Sequence, residues 1–342
     1  MKTIYEKVNI NEVEDAEHIG DMKINNIKCG KQNHKSKYPC IYGQCYKINV
    51  SKKKNYEPSQ EEIKNDGEWV KGRDLTFEDL EINNKKWVSE TGSNEEKLKD
   101  KKYQNQKHAS LINPQNKKIK VLKKIPPPGL HMNVLGPEND LYNGIEANLE
   151  ENEKHLITEF EIFLGNRREN YFGKTWEGNQ LTQIMKDKNL NKLQELLPKR
   201  LHCYVEAYRM LNIMNKTVSR NEMKDKANEI YDNIDEDQVK HEYIKECKDA
   251  IDNFLEIFNY LKFTFNQSKT NKIHTIEHHL LDFIDMTGKT LGSLDQCIEA
   301  VHQYFDQRLN SSKYKVKDKT TEVAGRKLEQ LVLHFNSYNI YN

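Results

Sequence analysis

The segment KYPCIYGQCYK places Cys40 and Cys45 with four residues between them, and Gly43 lets the chain turn there. A tight loop carrying Cys-x(2–4)-Cys can supply two thiolates to a tetrahedral zinc ion. Two ordinary thiols in a packed loop are the plainer alternative. Cys29, His34 and His131 are the nearest residues that would complete a zinc set. His131 lies in IPPPGLHMNVLGP, where a triproline stiffens the approach to it. Its neighbours Leu130 and Met132 suit a core histidine as well as a ligand.

Three further stretches carry chemistry-bearing side chains. GDMKINNIKCG sets Asp21 beside Gly20, just before a short helical pattern. A carboxylate there can hold a hard metal ion, or cap the helix that follows. KIHTIEHHLLDF holds His274, Glu277, His278 and His279. In an α-helix His274 and His278 share a face, while His279 falls on a neighbouring one. The order differs from the H-E-x-x-H of zinc proteases, because Glu277 directly precedes His278. In SLDQCIEAVHQYFDQRLN a helix would bury Ile298, Val301, Phe305 and Leu309, with Asp295, Glu299, His302 and Asp306 on the adjacent stripe. Glu299-x-x-His302 at the rim of an apolar face suits a carboxylate ligand with an imidazole beside it. It equally suits a charged surface helix.

The elements that must position these groups are mainly helical. Leu141, Ile145, Leu149, Leu156, Phe160 and Phe163 recur at helical steps or their multiples. Asn139 and Asp140 are candidate caps at the start of that run, and Gly165 is a candidate stop. Ile251, Phe254, Leu255, Phe258 and Leu261 mark a second helix, and Leu328, Leu331, Val332 and Phe335 a third. Residues 47–125 show little apolar periodicity and read as an irregular, basic insertion or linker.

Composition narrows the class. The chain has 342 residues, with 54 basic and 53 acidic side chains. Its mean hydropathy is −0.94, yet 17 Tyr and 11 Phe are more than a disordered tail would carry. No run approaches about 18 apolar residues, so no membrane-spanning segment is expected. Six cysteines are too sparse for a disulfide scaffold. The expectation is a reduced, intracellular protein.

The near-zero net charge hides a segregation. Residues 95–124 hold ten lysines against three acids, while 137–170 hold nine acids against three basic residues. Lys117, Lys118, Lys120, Lys123 and Lys124 are the candidate phosphate contacts of the basic stretch. The alternative is a solvated loop.

Taken in order, the segments GDMK, KYPC, PPPGLH, KIH-x(4)-H and E-x-x-H resemble the transposase-derived, RNase H-like proteins present in many copies in invertebrate genomes. Their core is interrupted by a helical insertion, as in hAT and P-element transposases. The resemblance runs from about Ile19 to the end, loosely over 47–125 and 210–245. It implies an α+β fold, α-rich by residue count: an RNase H-like core fragment at 1–46, the insertion or linker at 47–125, a helical insertion at 126–270 and a return to the core at 271–342. It implies a DDE-type site on DNA in which Mg²⁺ or Mn²⁺ is held by Asp21 and Glu299, with His302 beside them. The resemblance also implies a structural Zn²⁺ at Cys40, Cys45 and His131, supportive positions for His274 and His279, a nuclear location and a possible homo-oligomer. Leu294-Asp295-Gln296 departs from the Ser-Glu-Gln of relatives. The family's first acid, on the first strand, has no counterpart in the 20 residues before Asp21. The expectation is a transposase remnant that is catalytically incomplete, or an interaction module of the same origin for nucleic acid or protein.

Overall fold

A computed structural model describes residues 22–31, 38–48, 59, 65–128, 136–165, 176, 178–219, 236–289 and 291. Asp21, His131, Glu299 and His302 lie outside the described residues, as does the helix read at 328–335. The described part is helix-rich. Its strands are short: β1 (Tyr46–Lys47) pairs antiparallel with β2 (Trp69–Val70) in a two-stranded sheet. The larger sheet that an RNase H-like core requires is not among the described residues.

The helices used below are α1 (Met22–Cys29), α2 (Phe77–Ser89), α3 (Pro137–Asn148), α4 (His155–Leu164), α5 (Asp187–Leu196), α6 (His202–Val218) and α7 (Glu236–Phe265). A last run, α8, is α-helical over Asn271–Thr275, π-helical over Ile276–Leu280 and α-helical again over Leu281–Thr287.

The helical core forms because apolar residues fall at three- and four-residue steps. Tyr204, Tyr208, Leu211 and Val218 of α6 are buried with Ile251, Phe254, Phe258 and Leu261 of α7. The α7 stripe is the one read from the sequence. Tyr243 Oη donates to the Thr217 carbonyl at 3.3 Å, tying α7 to the last turn of α6. Tyr208 Oη reaches across to the Glu138 carbonyl of α3 at 2.7 Å. Gly144 makes the α3–α6 approach possible. A Cβ there would sit 2.6 Å from Tyr204 Cε1, closer than packed atoms come.

The single helix suggested for 141–163 is two helices, broken at Leu149–Glu150. Pro137 at the first helical position starts α3, so Asn139 and Asp140 fall inside its first turn rather than at the cap. Gly165 ends α4 in the left-handed conformation, φ 67°. Phe163 faces outward, and Ile157 takes the buried place beside Phe160.

Within the stretch read as irregular, α2 is a 13-residue helix with its own core residues. Thr76 accepts from the Asp79 N–H and Asp79 accepts from the Thr76 N–H, a reciprocal capping box. Leu75, Phe77, Leu80, Trp87, Val121, Leu122 and Ile125 are buried around it. Such a cluster needs no long-period pattern along the chain. Its residues come from short segments that meet in space.

Candidate metal centre

Cys40, Cys45, His274 and His279 converge in the interior, with one ligand-capable atom from each within 4.8 Å of all the others. All four residues are buried. Cys40 Sγ lies 3.2 Å from His279 Nε2, and Cys45 Sγ lies 3.7 Å from the same nitrogen. Tetrahedral zinc with Zn–S of about 2.3 Å and Zn–N of about 2.0 Å requires S···N edges of roughly 3.5 Å. The observed pair brackets that value. The cluster therefore has the donor chemistry and the size to hold a metal ion.

Two elements deliver the ligands. The cysteines sit on a loop that runs beside residues 73–75. Leu75 N–H donates to the Tyr42 carbonyl at 2.8 Å, and Gln44 N–H to the Arg73 carbonyl at 2.9 Å. The β1–β2 pair continues that ladder. Gly43 is required at the bend, because a Cβ would stand 2.8 Å from Cys45 Sγ and 3.3 Å from His279 Cε1. Lys31 is buried and donates to the Cys40 carbonyl.

The histidines come from α8, and its π turn decides which of them meet. In a helix of 3.6 residues per turn, a fifth residue has rotated past the starting face. An i→i+5 turn closes instead on the residue five places along. His279 is thereby brought back to His274, their ring centroids 5.1 Å apart. The α-helical pairing of His274 with His278 is corrected accordingly. Those rings are near each other at 5.0 Å, but His278 is not part of the four-residue cluster.

Aromatic packing fixes the imidazoles. Trp69 of β2 stacks on His274 with centroids 4.1 Å apart and planes 15° from parallel. The Trp69 indole N–H donates to the Lys269 carbonyl at 3.1 Å, holding the ring in place. Tyr42 lies against His279 at 5.3 Å. Lys269 anchors the start of α8 by bridging Glu68 at 3.0 Å and Glu277 at 2.9 Å.

The electrostatics suit a ligand set. Hydrogen bonding from the Cys40 thiol, aided by His274 and His279, holds Cys45 far below the ordinary thiol range. Burial, together with the neighbouring Cys45 charge, pushes Cys40 up. A metal ion bound by both sulfurs would take them as thiolates and release the thiol proton. Burial lowers His274 to about 4 and so keeps it neutral, the form that binds metal. Cys29 is raised to about 12, chiefly by burial, and stays a thiol outside the cluster.

Cys40 and Cys45 thus lie together, as the sequence suggested, and His274 and His279 complete the cluster with two nitrogen atoms. His131, the third member of the expected set, lies outside the described residues, and so do Asp21, Glu299 and His302. Among the candidate phosphate contacts, Lys117 pairs with Glu81, Lys120 with Asp74 at 2.7 Å, and Lys124 is buried. Lys118 and Lys123 are exposed. Asp74, near His279, carried no sequence signal: nothing in GRDLTF marks it as a neighbour of a histidine two hundred residues on. No helix among the described residues is long and apolar enough to cross a membrane. No protein-family model matches the chain, and no curated protein matches it.

Proposed function

We propose that this protein is a zinc-stapled helical scaffold of transposase ancestry, whose metal centre is structural rather than catalytic. The observation that carries this is the closed set of two thiols and two imidazoles, all buried, from two distant segments. Structural zinc sites fill all four positions with protein ligands, whereas catalytic ones leave a position open to water or substrate. Zinc is favoured over Mg²⁺ or Mn²⁺ by the donors, since thiolate and imidazole suit zinc and hard cations select oxygen. The ancestry rests on motif order. Its KYPC and KIH-x(4)-H segments supply three of the four ligands, so motifs read separately in the sequence serve one centre.

The test is zinc content and stability of the full-length protein. One zinc per chain is expected by elemental analysis. Free zinc held at a thousand times its dissociation constant stabilises the folded form by about 4 kcal/mol. That corresponds to a melting temperature on the order of 8 °C higher than in chelator. Purified protein that takes up no zinc, and melts identically with and without chelator, rejects the proposal.

A further inference from the structure

The outer side of the same centre carries an arrangement that the four ligands do not use. His279 turns Nε2 toward both thiols, while its Nδ1 is buried and has no hydrogen-bond partner. A metal taken at Nε2 leaves the ring proton on Nδ1, because a neutral imidazole carries one. A buried N–H needs an acceptor. Asp74 and Asp282 are placed to supply it. One carboxylate oxygen of each lies within 4.8 Å of a His279 ring nitrogen and of the other.

Their positions are set by the fold. Asp74 sits opposite Gly43 across a backbone bridge, directly beside the cysteine loop. Asp282 follows His279 by three residues on α8, on the neighbouring turn. Each carboxylate is also held by a lysine: Lys120 meets Asp74 at 2.7 Å and Lys71 meets Asp282 at 2.8 Å. The two lysines offset the repulsion between the carboxylates. A carboxylate has acceptor capacity for a lysine and an imidazole together.

We infer that Asp74 and Asp282 form the outer shell of the metal centre, taking the Nδ1–H of His279 and so reserving Nε2 for the metal. They are positioning residues, in contact with a ligand and not with the ion. Such carboxylates fix the tautomer and ring orientation and raise the basicity of the ligating nitrogen. This inference rests on the zinc reading given above.

The test is a zinc competition titration against a chromogenic chelator, using the full-length chain and zinc alone. D74A/D282A is expected to bind zinc about 10–100-fold more weakly than the unmutated protein. K71M/K120M breaks the same two ion pairs but leaves the carboxylates, and is expected to lose clearly less affinity than D74A/D282A. Unchanged affinity in D74A/D282A, or an equal loss in both double variants, overturns the outer shell while leaving the zinc scaffold standing. An unmutated protein that binds no zinc brings down both. If D74A/D282A does not fold, nitrogen-15 NMR of the unmutated zinc form decides. Metal at Nε2 of His279 with a slowly exchanging Nδ1 proton supports the outer shell, and metal at Nδ1 overturns it.

Discussion

Glu138 buries both carboxylate oxygens without a hydrogen-bond partner. Burial pushes its carboxyl well above the ordinary range. The sign of its effect on stability follows. A carboxyl whose folded value is raised contributes stability below its unfolded value and loses it as pH climbs toward the folded one. Glu138→Gln removes that loss. The variant is expected to melt higher than the unmutated protein at pH 8, with the gap narrowing at pH 4. Calorimetry at the two values checks this, and matched melts cancel any contribution from the metal. Equal melting temperatures at pH 8 would show that the carboxyl finds a partner or reaches water. The cysteines separate as sharply. Cys45→Ser removes a ligand and is expected to abolish zinc uptake. Cys203→Ser, at a thiol outside the cluster, is expected to retain it. Elemental analysis of the two purified variants distinguishes them.

At the level of elements, the π turn of α8 is the device that brings the two histidines of H-x(4)-H into one cluster. Residue types along KIHTIEHHL announce a metal-capable stretch, but α-helical geometry selects His278 as the partner of His274. The sequence carries no local mark of an i→i+5 turn, so only the resemblance, through KIH-x(4)-H, set His274 and His279 together, and helical periodicity did not. The cysteine pair was legible because its loop is short and Gly43 advertises the bend. The α7 stripe was legible because five large apolar residues fall on one face of a continuous helix. The helix α2 carried a readable signal too, the Thr76-x-x-Asp79 capping box, set in a lysine- and asparagine-rich context that obscures it. Thr76→Ala is expected to cost about 1 kcal/mol, read as a lower denaturant midpoint with an unchanged slope. Gly43→Ala forces a Cβ against Cys45 and His279. Weaker zinc binding is expected from it, measured by the same chelator competition.

Among the described residues, about half of the basic run is taken up by burial or by acidic partners. Of the lysines in 95–124, Lys97 and Lys124 are buried, while Lys102, Lys117 and Lys120 pair with Glu90, Glu81 and Asp74. Ten free lysines on duplex DNA would give a salt slope near −9 on logarithmic axes, at about 0.9 per neutralised phosphate. With these five engaged, five remain, and a slope no steeper than about −4.5 is expected for binding to a mixed-sequence duplex. Fluorescence anisotropy between 50 and 200 mM salt measures it. A slope near −9 would mean that the ion pairs open to receive phosphates. Counting lysines could not reveal this, because the partners Glu81, Glu90 and Asp74 lie on α2, at its C-cap and in the 73–75 segment, outside the basic run.

The four ligands are far apart along the chain: Cys40 precedes His279 by 239 positions. During synthesis at about 5–20 residues per second, the thiol pair leaves the ribosome roughly 12–50 s before the last imidazole exists. Through that interval the cysteines have no intramolecular nitrogen partners from α8. They must persist as reduced thiols while α2 through α7 are made. On the zinc reading proposed above, capture of the ion falls among the last events of assembly, and occupancy of the centre would report that the cysteine loop and α8 have found each other.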